Sequence, residues 1–266
     1  MRLLLVILLV LASPVSAFAA ATAWQDVAPG ARLRLISSDV RQPDGSTLVG
    51  IELDIPQTLK TYWRLPGESG IPTEFDIAGS AGVSQASIEW PYPQPETSGG
   101  FLEYVYRGPT VLPIVLRTSG TPVLSARVTM GVCSDVCVPV RASFQLPLSF
   151  ASADLGQSIR LQQAAALAPI AWDRSGSAFG DVTFDPKAHT LQVGLSDPAV
   201  DPASVIATAD DPSLVFGMPQ KSPDGRSIWL KLRGVDRGAD WVGRSVQLTF
   251  MTVRGAYEVS ERVSAP

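Results

Sequence analysis

The stretch VLSARVTMGVCSDVCVPVRASFQLPL, residues 123–148, contains the two cysteines of the chain, Cys133 and Cys137. On both sides of the pair, apolar residues alternate with polar or small ones, the period of β-strands with one face on a hydrophobic core. The predicted core face consists of Leu124, Ala126, Val128, Met130 and Val132, followed by Val138, Val140, Ala142, Phe144, Leu146 and Leu148. Both cysteines belong to the other set, so we expect them to point away from this core.

Only three residues, 134–136, separate the two cysteines, which suits a tight turn between antiparallel strands. Such a hairpin places Cys133 opposite Cys137, within the distance that a disulfide needs. The β-branched valines around the pair and Pro139 disfavour a helical arrangement. The sequence therefore predicts a β-hairpin with one cysteine on each strand.

The rest of the chain also indicates an all-β protein. The 22 glycines and 22 prolines are scattered at short intervals between short β-branched or alternating runs, which is typical of an antiparallel sandwich or barrel. The pattern breaks at residues 151–171, where Asp154 can cap a short helix and Pro169 can end it. We therefore predict two β-domains, residues 22–150 and a smaller one over 172–266, joined by a helical linker.

The N-terminus resembles a secretory signal peptide. Arg2 precedes the apolar run LLLVILLVLA (3–12) and the small-residue segment SPVSAFAA, so residues 1–19 are predicted to be removed after Ala19. An uncleaved anchor is the alternative, but the run is shorter than the roughly 20 residues of a membrane span. The expected location is the periplasm, where disulfides persist. A net charge of −4 without basic clusters argues against nucleic-acid binding.

Three roles are open to the cysteine pair: a structural disulfide, a metal site or a redox centre. A disulfide that closes a five-residue loop stabilises a fold by about 2 kcal/mol, against about 5 kcal/mol for a loop of about 100 residues, so it is a poor structural bond. Zinc needs two further ligands, and the single histidine, His189, is expected in a surface turn. Cu(I) could take both sulfurs together with Met130.

Local charge argues against thiols that are reactive on their own. Cations and helix N-termini activate cysteines, but Asp135 lies between these two, and the nearest basic residue in the sequence is Arg141. We therefore expect slow thiols that depend on a partner for rapid exchange. This favours a relay over a general reductase.

Four segments resemble the periplasmic N-terminal domain of the DsbD/ScsB family of thiol:disulfide interchange proteins. They are TYWRLPGESGIPTEFD (61–76), IEWPYP (88–93), EYVYRGPTVLPIVL (103–116) and GVCSDVCVPVRASFQLPL (131–148). The resemblance implies an immunoglobulin-like sandwich whose Cys133–Cys137 pair shuttles between disulfide and dithiol. It also implies an electron donor embedded in the membrane, thioredoxin-like acceptors in the periplasm, and Cys137 as the cysteine that forms the mixed disulfide.

In this family a cap loop with an aromatic residue shields the cysteine pair. The corresponding stretch, ETSGGFLEY (96–104), makes Phe101 the candidate cap residue, with Glu103 and Tyr104 beside it; ordinary strand packing is the alternative for Phe101. The three-residue cysteine spacing and a second β-domain resemble the ScsB-like branch. The sequence has neither the membrane domain nor the thioredoxin domain of complete members, so we expect the donor to be a separate membrane protein.

The leading hypothesis is thus a thiol–disulfide oxidoreductase component that uses no cofactor and no metal. Two alternatives stay open. One is a non-enzymatic exported binding module with an inert disulfide, and the other is a Cu(I)-handling protein that uses the same cysteines.

Overall fold

A computed structural model describes residues 20–211, 213–233 and 240–265. The predicted signal peptide, residues 1–19, lies outside the described residues. The described residues form two β-sheets, of ten and nine strands, with one α-helix between them in sequence. The prediction of an all-β protein with a short helix is therefore confirmed. Within the described ranges, no helix is long and apolar enough to cross a membrane.

The first sheet is organised around one long strand of 24 residues. Its strands are β1 (Gln25–Ala28), β2 (Ala31–Arg41), β3 (Ser46–Asp54), β4 (Lys60–Gly67), β5 (Glu74–Asp76), β6 (Ala81–Ile88), β7 (Gln94–Ser98), β8 (Phe101–Arg107), β9 (Thr110–Cys133) and β10 (Cys137–Pro147). The order is β1-β2-β3-β9-β4-β8-β7, and β5, β6 and β10 also pair with β9. The first half of β9 therefore pairs with β3 and β6, and its second half with β5 and β10.

The predicted alternation along β9 and β10 is observed. The apolar set from Leu124 to Val132 is buried in the first hydrophobic cluster, and so are Val140 to Leu146 of β10 and Leu148 just after it. The prediction was wrong at Val138, which is 49% exposed next to the exposed Val136 of the turn. The alternation therefore describes the core face except at the end of the hairpin.

The helix α1 (Leu155–Ala165) begins as predicted, because the Asp154 carboxylate accepts a hydrogen bond of 2.9 Å from the amide of Gln157. It ends at Ala165, before Pro169 is reached, so Pro169 does not terminate it. Leu161 is buried against the first sheet, where a side chain at Gly50 would lie 2.6 Å from its Cδ2. The helix is thus packed on the first sheet.

The second sheet has its own buried cluster. Its strands are β11 (Ile170–Ala171), β12 (Phe179–Asp185), β13 (Thr190–Leu195), β14 (Ile206–Ala209), β15 (Val215–Phe216), β16 (Gln220–Lys221), β17 (Ser227–Arg233), β18 (Ser245–Thr252) and β19 (Gly255–Arg262). The core is rich in aromatic contacts, such as Phe179 edge-on to Phe250. Ile206 instead joins the first cluster, so the two sheets are packed against each other.

Candidate functional site

The two cysteines end one strand and begin the next, as the sequence predicts. Cys133 is the last residue of β9 and Cys137 the first of β10, and the register pairs them directly. Their Cα atoms are 4.1 Å apart and their sulfurs form a disulfide. The hairpin prediction is confirmed, and the disulfide links neighbouring strands at their turn.

The face that carries the cysteines is covered by a second layer of side chains. Cys133 is fully buried in a small cluster with Tyr62 of β4 and Val105 of β8, and Cys137 is partly buried against it. Alternation correctly predicted that Cys133 points away from the main core. This sulfur is nevertheless shielded from solvent, because the side chains of Tyr62 and Val105 pack against it.

The hydroxyl of Tyr62 lies between the two sulfurs, 3.1 Å from Sγ of Cys133 and 3.0 Å from Sγ of Cys137. Two glycines allow the ring to come this close. A Cβ at Gly70 would lie 2.4 Å from the ring, and one at Gly131 would lie 3.1 Å from it. The Tyr62 ring therefore occupies space that a side chain at either glycine would fill.

A buried carboxylate contacts the same tyrosine. Glu103 Oε1 lies 3.2 Å from the Tyr62 hydroxyl and accepts a 2.8 Å hydrogen bond from the Ser69 hydroxyl. Its other oxygen forms a buried ion pair with Lys60, the residue of β4 whose Cα is paired with Cys133. The disulfide thus borders a polar network whose central members, Lys60, Tyr62 and Glu103, are buried.

The ionic network extends by two further groups. Glu96 lies 3.7 Å from the Lys60 ammonium and forms a two-bond ion pair with Arg107. This hydrogen bond, followed by the charge of Arg107, holds the pKa of Glu96 below its usual value. Two cations therefore face two carboxylates, so the network offers the sulfurs little surplus positive charge.

The environment of Tyr62 keeps its hydroxyl protonated. Burial, and then the negative charge of Glu103, raise the pKa of this tyrosine well above its usual value. A tyrosine O–H has a single proton to donate, and both Glu103 and the sulfurs are within reach of it. The hydroxyl can therefore turn from the carboxylate to a sulfur when that sulfur becomes negative.

The structure separates the three predicted cap residues. Phe101 lies at the tip of the β7–β8 hairpin and is 51% exposed, whereas Tyr104 is buried in the main core with its ring edge-on to Trp63 at 5.8 Å. Glu103 alone of the three joins the network beside the disulfide. The shielding role of Phe101 stays a prediction; the side chains packed on the sulfurs belong to Tyr62 and Val105.

Sequence reasoning missed Lys60, Tyr62 and Glu96. Arg141, the nearest basic residue in the sequence, is exposed on β10, whereas strand pairing brings Lys60 beside Cys133. Tyr62 lies in one of the segments that carried the family resemblance, and this was the one feature of the sequence that could have marked it as a site residue. No local pattern indicated that it reaches the sulfurs.

The structure does not assemble the proposed copper ligands. Met130 lies in the main hydrophobic cluster, on the face of β9 opposite to the cluster that contains Cys133. His189 stands in a turn between β12 and β13, as expected. Within the described ranges, no three His, Cys, Asp or Glu side chains are grouped to hold a metal ion.

A known protein family matches the part of the chain that contains the two cysteines. The family described as "Thiol:disulfide interchange protein DsbD, N-terminal" matches residues 33–149, which include both cysteines. Residues 33–149 are thus similar to the DsbD N-terminal domain family. The Cys133–Cys137 hairpin and the strands β4 and β8, whose side chains pack on Cys133, all lie inside the matched residues.

A solved structure shows the same fold over almost the whole chain. The N-terminal periplasmic domain of ScsB from Proteus mirabilis aligns with a TM-score of 0.74 and 23% identity, covering 92% of this chain and 99% of that one. The human desmocollin-1 ectodomain aligns with a TM-score of 0.22 and 10% identity over 84% of this chain and 44% of that one, which carries no structural conclusion. No curated protein matches the chain significantly.

Proposed function

We propose that this protein is a periplasmic thiol–disulfide relay. The Cys133–Cys137 pair accepts reducing equivalents from a membrane-embedded donor and passes them to thioredoxin-like clients. The observation that carries the proposal is a disulfide in a DsbD N-terminal domain with one sulfur buried, one partly exposed, and a tyrosine hydroxyl in contact with both. Removal of residues 1–19 on export belongs to the same proposal.

The difference in burial favours Cys137 as the sulfur that is attacked. A thiolate of the reduced donor forms a bond to Sγ of Cys137, which is partly exposed, and the bond to Cys133 breaks. Cys133 leaves with the electron pair as a thiolate. The second thiol of the donor then displaces Cys137, so the donor becomes a disulfide and the protein holds two thiols. Two electrons and two protons are transferred in total.

The reduced pair passes these electrons on by the reverse chemistry. The Cys137 thiolate attacks a client disulfide and forms a mixed disulfide, and the client sulfur that leaves takes up a proton. Cys133 then attacks Sγ of Cys137, which restores the intramolecular bond and releases the reduced client. The direct pairing of Cys133 with Cys137 supports this step, because the resolving sulfur is already in place.

Tyr62 supports the first step through hydrogen bonding. Its hydroxyl is 3.1 Å from Cys133 Sγ and can donate to the thiolate that leaves. The balanced charges of Lys60, Arg107, Glu96 and Glu103 supply little further stabilisation. This balance favours a pair that exchanges when a partner docks rather than a self-activated thiol.

The complete burial of Cys133 favours one other candidate, an exported binding module whose disulfide never exchanges. Equilibration in glutathione or dithiothreitol buffers distinguishes the two. A relay requires a potential above about −300 mV, whereas an inert bond stays oxidised well below that value.

Trapping experiments test the relay with its partners. We expect Cys133→Ala, which leaves the more exposed thiol without its resolving partner, to accumulate mixed disulfides with a thioredoxin-like client. Cys137→Ala, which leaves the buried thiol, is the matched control and should trap much less. If the potential of the disulfide lies well below about −300 mV and neither variant traps a partner, the protein is a binding module with an inert disulfide.

A further inference from the structure

The β7–β8 hairpin, residues 94–107, forms part of the cover over the disulfide. Strand β8 pairs with β4 so that Val105 stands opposite Tyr62. Val105 shares the buried cluster of Cys133, and Glu103 of the same strand contacts the Tyr62 hydroxyl. A shift of this hairpin would therefore move one side chain that packs with Cys133 and one that contacts Tyr62.

The tip of the hairpin is held by the second sheet. Arg233, the last residue of β17, donates a 2.7 Å hydrogen bond from Nη2 to the carbonyl oxygen of Gly100, which lies in the turn between β7 and β8. Its Nε donates a 2.8 Å bond to Glu68 Oε2. One guanidinium thus contacts both the turn and the segment after β4.

Glu68 ties the same turn to the end of β4. Its Oε2 accepts a 2.6 Å hydrogen bond from the amide of Leu102, and its own amide donates a 2.9 Å bond to the carbonyl oxygen of Leu102. The Glu68 side chain is 17% exposed and that of Arg233 is 38% exposed. A charge-assisted contact of this kind is stronger than a neutral hydrogen bond.

The turn itself has little packing of its own. Gly99 and Gly100 both have positive φ, +58° and +88°, as a two-residue turn of type I′ requires. A Cβ placed at Gly100 would have no neighbour within 4 Å. The tip is therefore held through two backbone groups: the Gly100 carbonyl, which Arg233 contacts, and the Leu102 amide, which Glu68 contacts.

We propose that Arg233 clamps the β7–β8 hairpin and that this clamp controls how readily the Cys133–Cys137 disulfide is reduced. The second sheet thereby regulates the redox site of the first. Arg233 is a positioning residue, since it acts through Glu68 and Gly100 and not on the sulfurs. The regulatory meaning of the clamp rests on the proposed relay. The clamp itself consists of contacts within this chain and does not depend on the relay.

A second ion pair between the sheets provides a matched control. Arg64 of β4 donates from Nη2 to Thr249 Oγ1 at 3.2 Å and to Glu258 Oε2 at 3.0 Å. Both of these hydrogen bonds go to the second sheet, whereas those of Arg233 go to the hairpin turn and to the glutamate that holds it. Removing Arg64 weakens the contact between the sheets without releasing the turn.

The test is the rate at which dithiothreitol reduces the full, oxidised chain, followed by quenched labelling of the new thiols. We expect Arg233→Ala to be reduced about tenfold faster than the wild type, because losing a charge-assisted contact makes the open hairpin about tenfold more populated. Arg64→Ala should stay within about twofold of the wild type, since the loss of a single ion pair at the interface leaves the turn bonded. Arg233→Lys keeps the charge and loses the two-point contact, so its reduction rate should lie between that of the wild type and that of Arg233→Ala.

Two further measurements keep the clamp testable if Arg233→Ala folds poorly. Glu68→Gln should also speed reduction, and amide hydrogen exchange at Leu102 should rise in both variants but not in Arg64→Ala. Equal rates for Arg233→Ala and the wild type, or equal acceleration by Arg64→Ala, would overturn the clamp. Because dithiothreitol needs no protein partner, these outcomes are independent of the trapping experiment that tests the relay.

Discussion

The hydroxyl of Tyr62 lies 3.1 Å from the Sγ of Cys133, although 71 positions separate the two residues in sequence. The same oxygen is 3.0 Å from Cys137 and 3.2 Å from the carboxylate of Glu103. One hydroxyl therefore connects the disulfide to the buried ionic network. The reactivity of the pair should depend on this contact and on the groups that hold it in place.

Replacing Tyr62 by Phe removes the hydroxyl and keeps the ring. We expect the disulfide to be reduced about ten- to hundredfold more slowly by dithiothreitol, because the Cys133 thiolate loses a donor and a hydrogen bond to a charged group is worth about 1.5–3 kcal/mol. Tyr106→Phe is the control, since its buried hydroxyl bonds the carbonyl oxygen of Pro91 at 2.6 Å. Equal reduction rates in the two variants would remove Tyr62 from the mechanism.

Adding one methyl group at Gly131 should displace the tyrosine from the sulfurs. The new Cβ would lie 2.8 Å from Cβ of Ile71 and 3.1 Å from the Tyr62 ring. We expect Gly131→Ala to lower the free energy of unfolding by about 1–3 kcal/mol through overpacking and to slow reduction as Tyr62→Phe does. Urea denaturation and the reduction assay measure the two effects.

Gly156 of α1 provides the control for that substitution, because an added Cβ there would come no closer than 3.4 Å to the Asp154 carboxylate. Gly156→Ala should leave reduction unchanged and should not destabilise the helix, since alanine favours it by up to about 1 kcal/mol. A Gly131→Ala protein with the stability and rate of the wild type would show that the ring has room to move.

Neutralising Glu103 should make the reduced cysteines more reactive. Glu103→Gln leaves the Lys60 ammonium with Glu96 at 3.7 Å as its remaining carboxylate partner, and surplus positive charge favours a nearby thiolate. We expect alkylation of the reduced protein by iodoacetamide near pH 7 to become several times faster, with the midpoint of its pH profile shifted to lower pH.

The control for this change is Glu52→Gln. Glu52 is a buried carboxylate that pairs with Arg34 and Arg160, so both variants lose a buried ion pair and circular dichroism should confirm that both stay folded. Only the change at Glu103 should move the alkylation profile. A midpoint that stays in place or rises in Glu103→Gln would contradict this electrostatic account.

Breaking the disulfide should cost little stability. The bond closes a loop between residues only four positions apart, and chain entropy assigns such a short loop about 2 kcal/mol. We expect urea denaturation of the double variant Cys133→Ala, Cys137→Ala to show a loss of about this size. A loss well above about 4 kcal/mol would identify the bond as mainly structural.

Local patterns determined much of the fold. Alternation between Leu124 and Leu148 predicted two strands and their common core face, and the three-residue turn predicted the direct pairing of Cys133 with Cys137. Asp154 marked the start of the helix, since its carboxylate satisfies a free amide of the first turn. These predictions held because they depend on neighbours in the chain and on the fixed period of a strand or a helix.

Only the tertiary structure decided what covers the cysteines. Strand alternation states which way Cys133 points but not which strand arrives on that side, and β4 and β8 bring Lys60, Tyr62 and Glu103 there from distant positions. The contact of Arg233 with Gly100 likewise depends on how the second sheet packs on the first. The sequence by itself thus determined the hairpin that brings the two cysteines together, and packing between strands far apart in the chain decided the burial of the disulfide, its polar partners and its clamp.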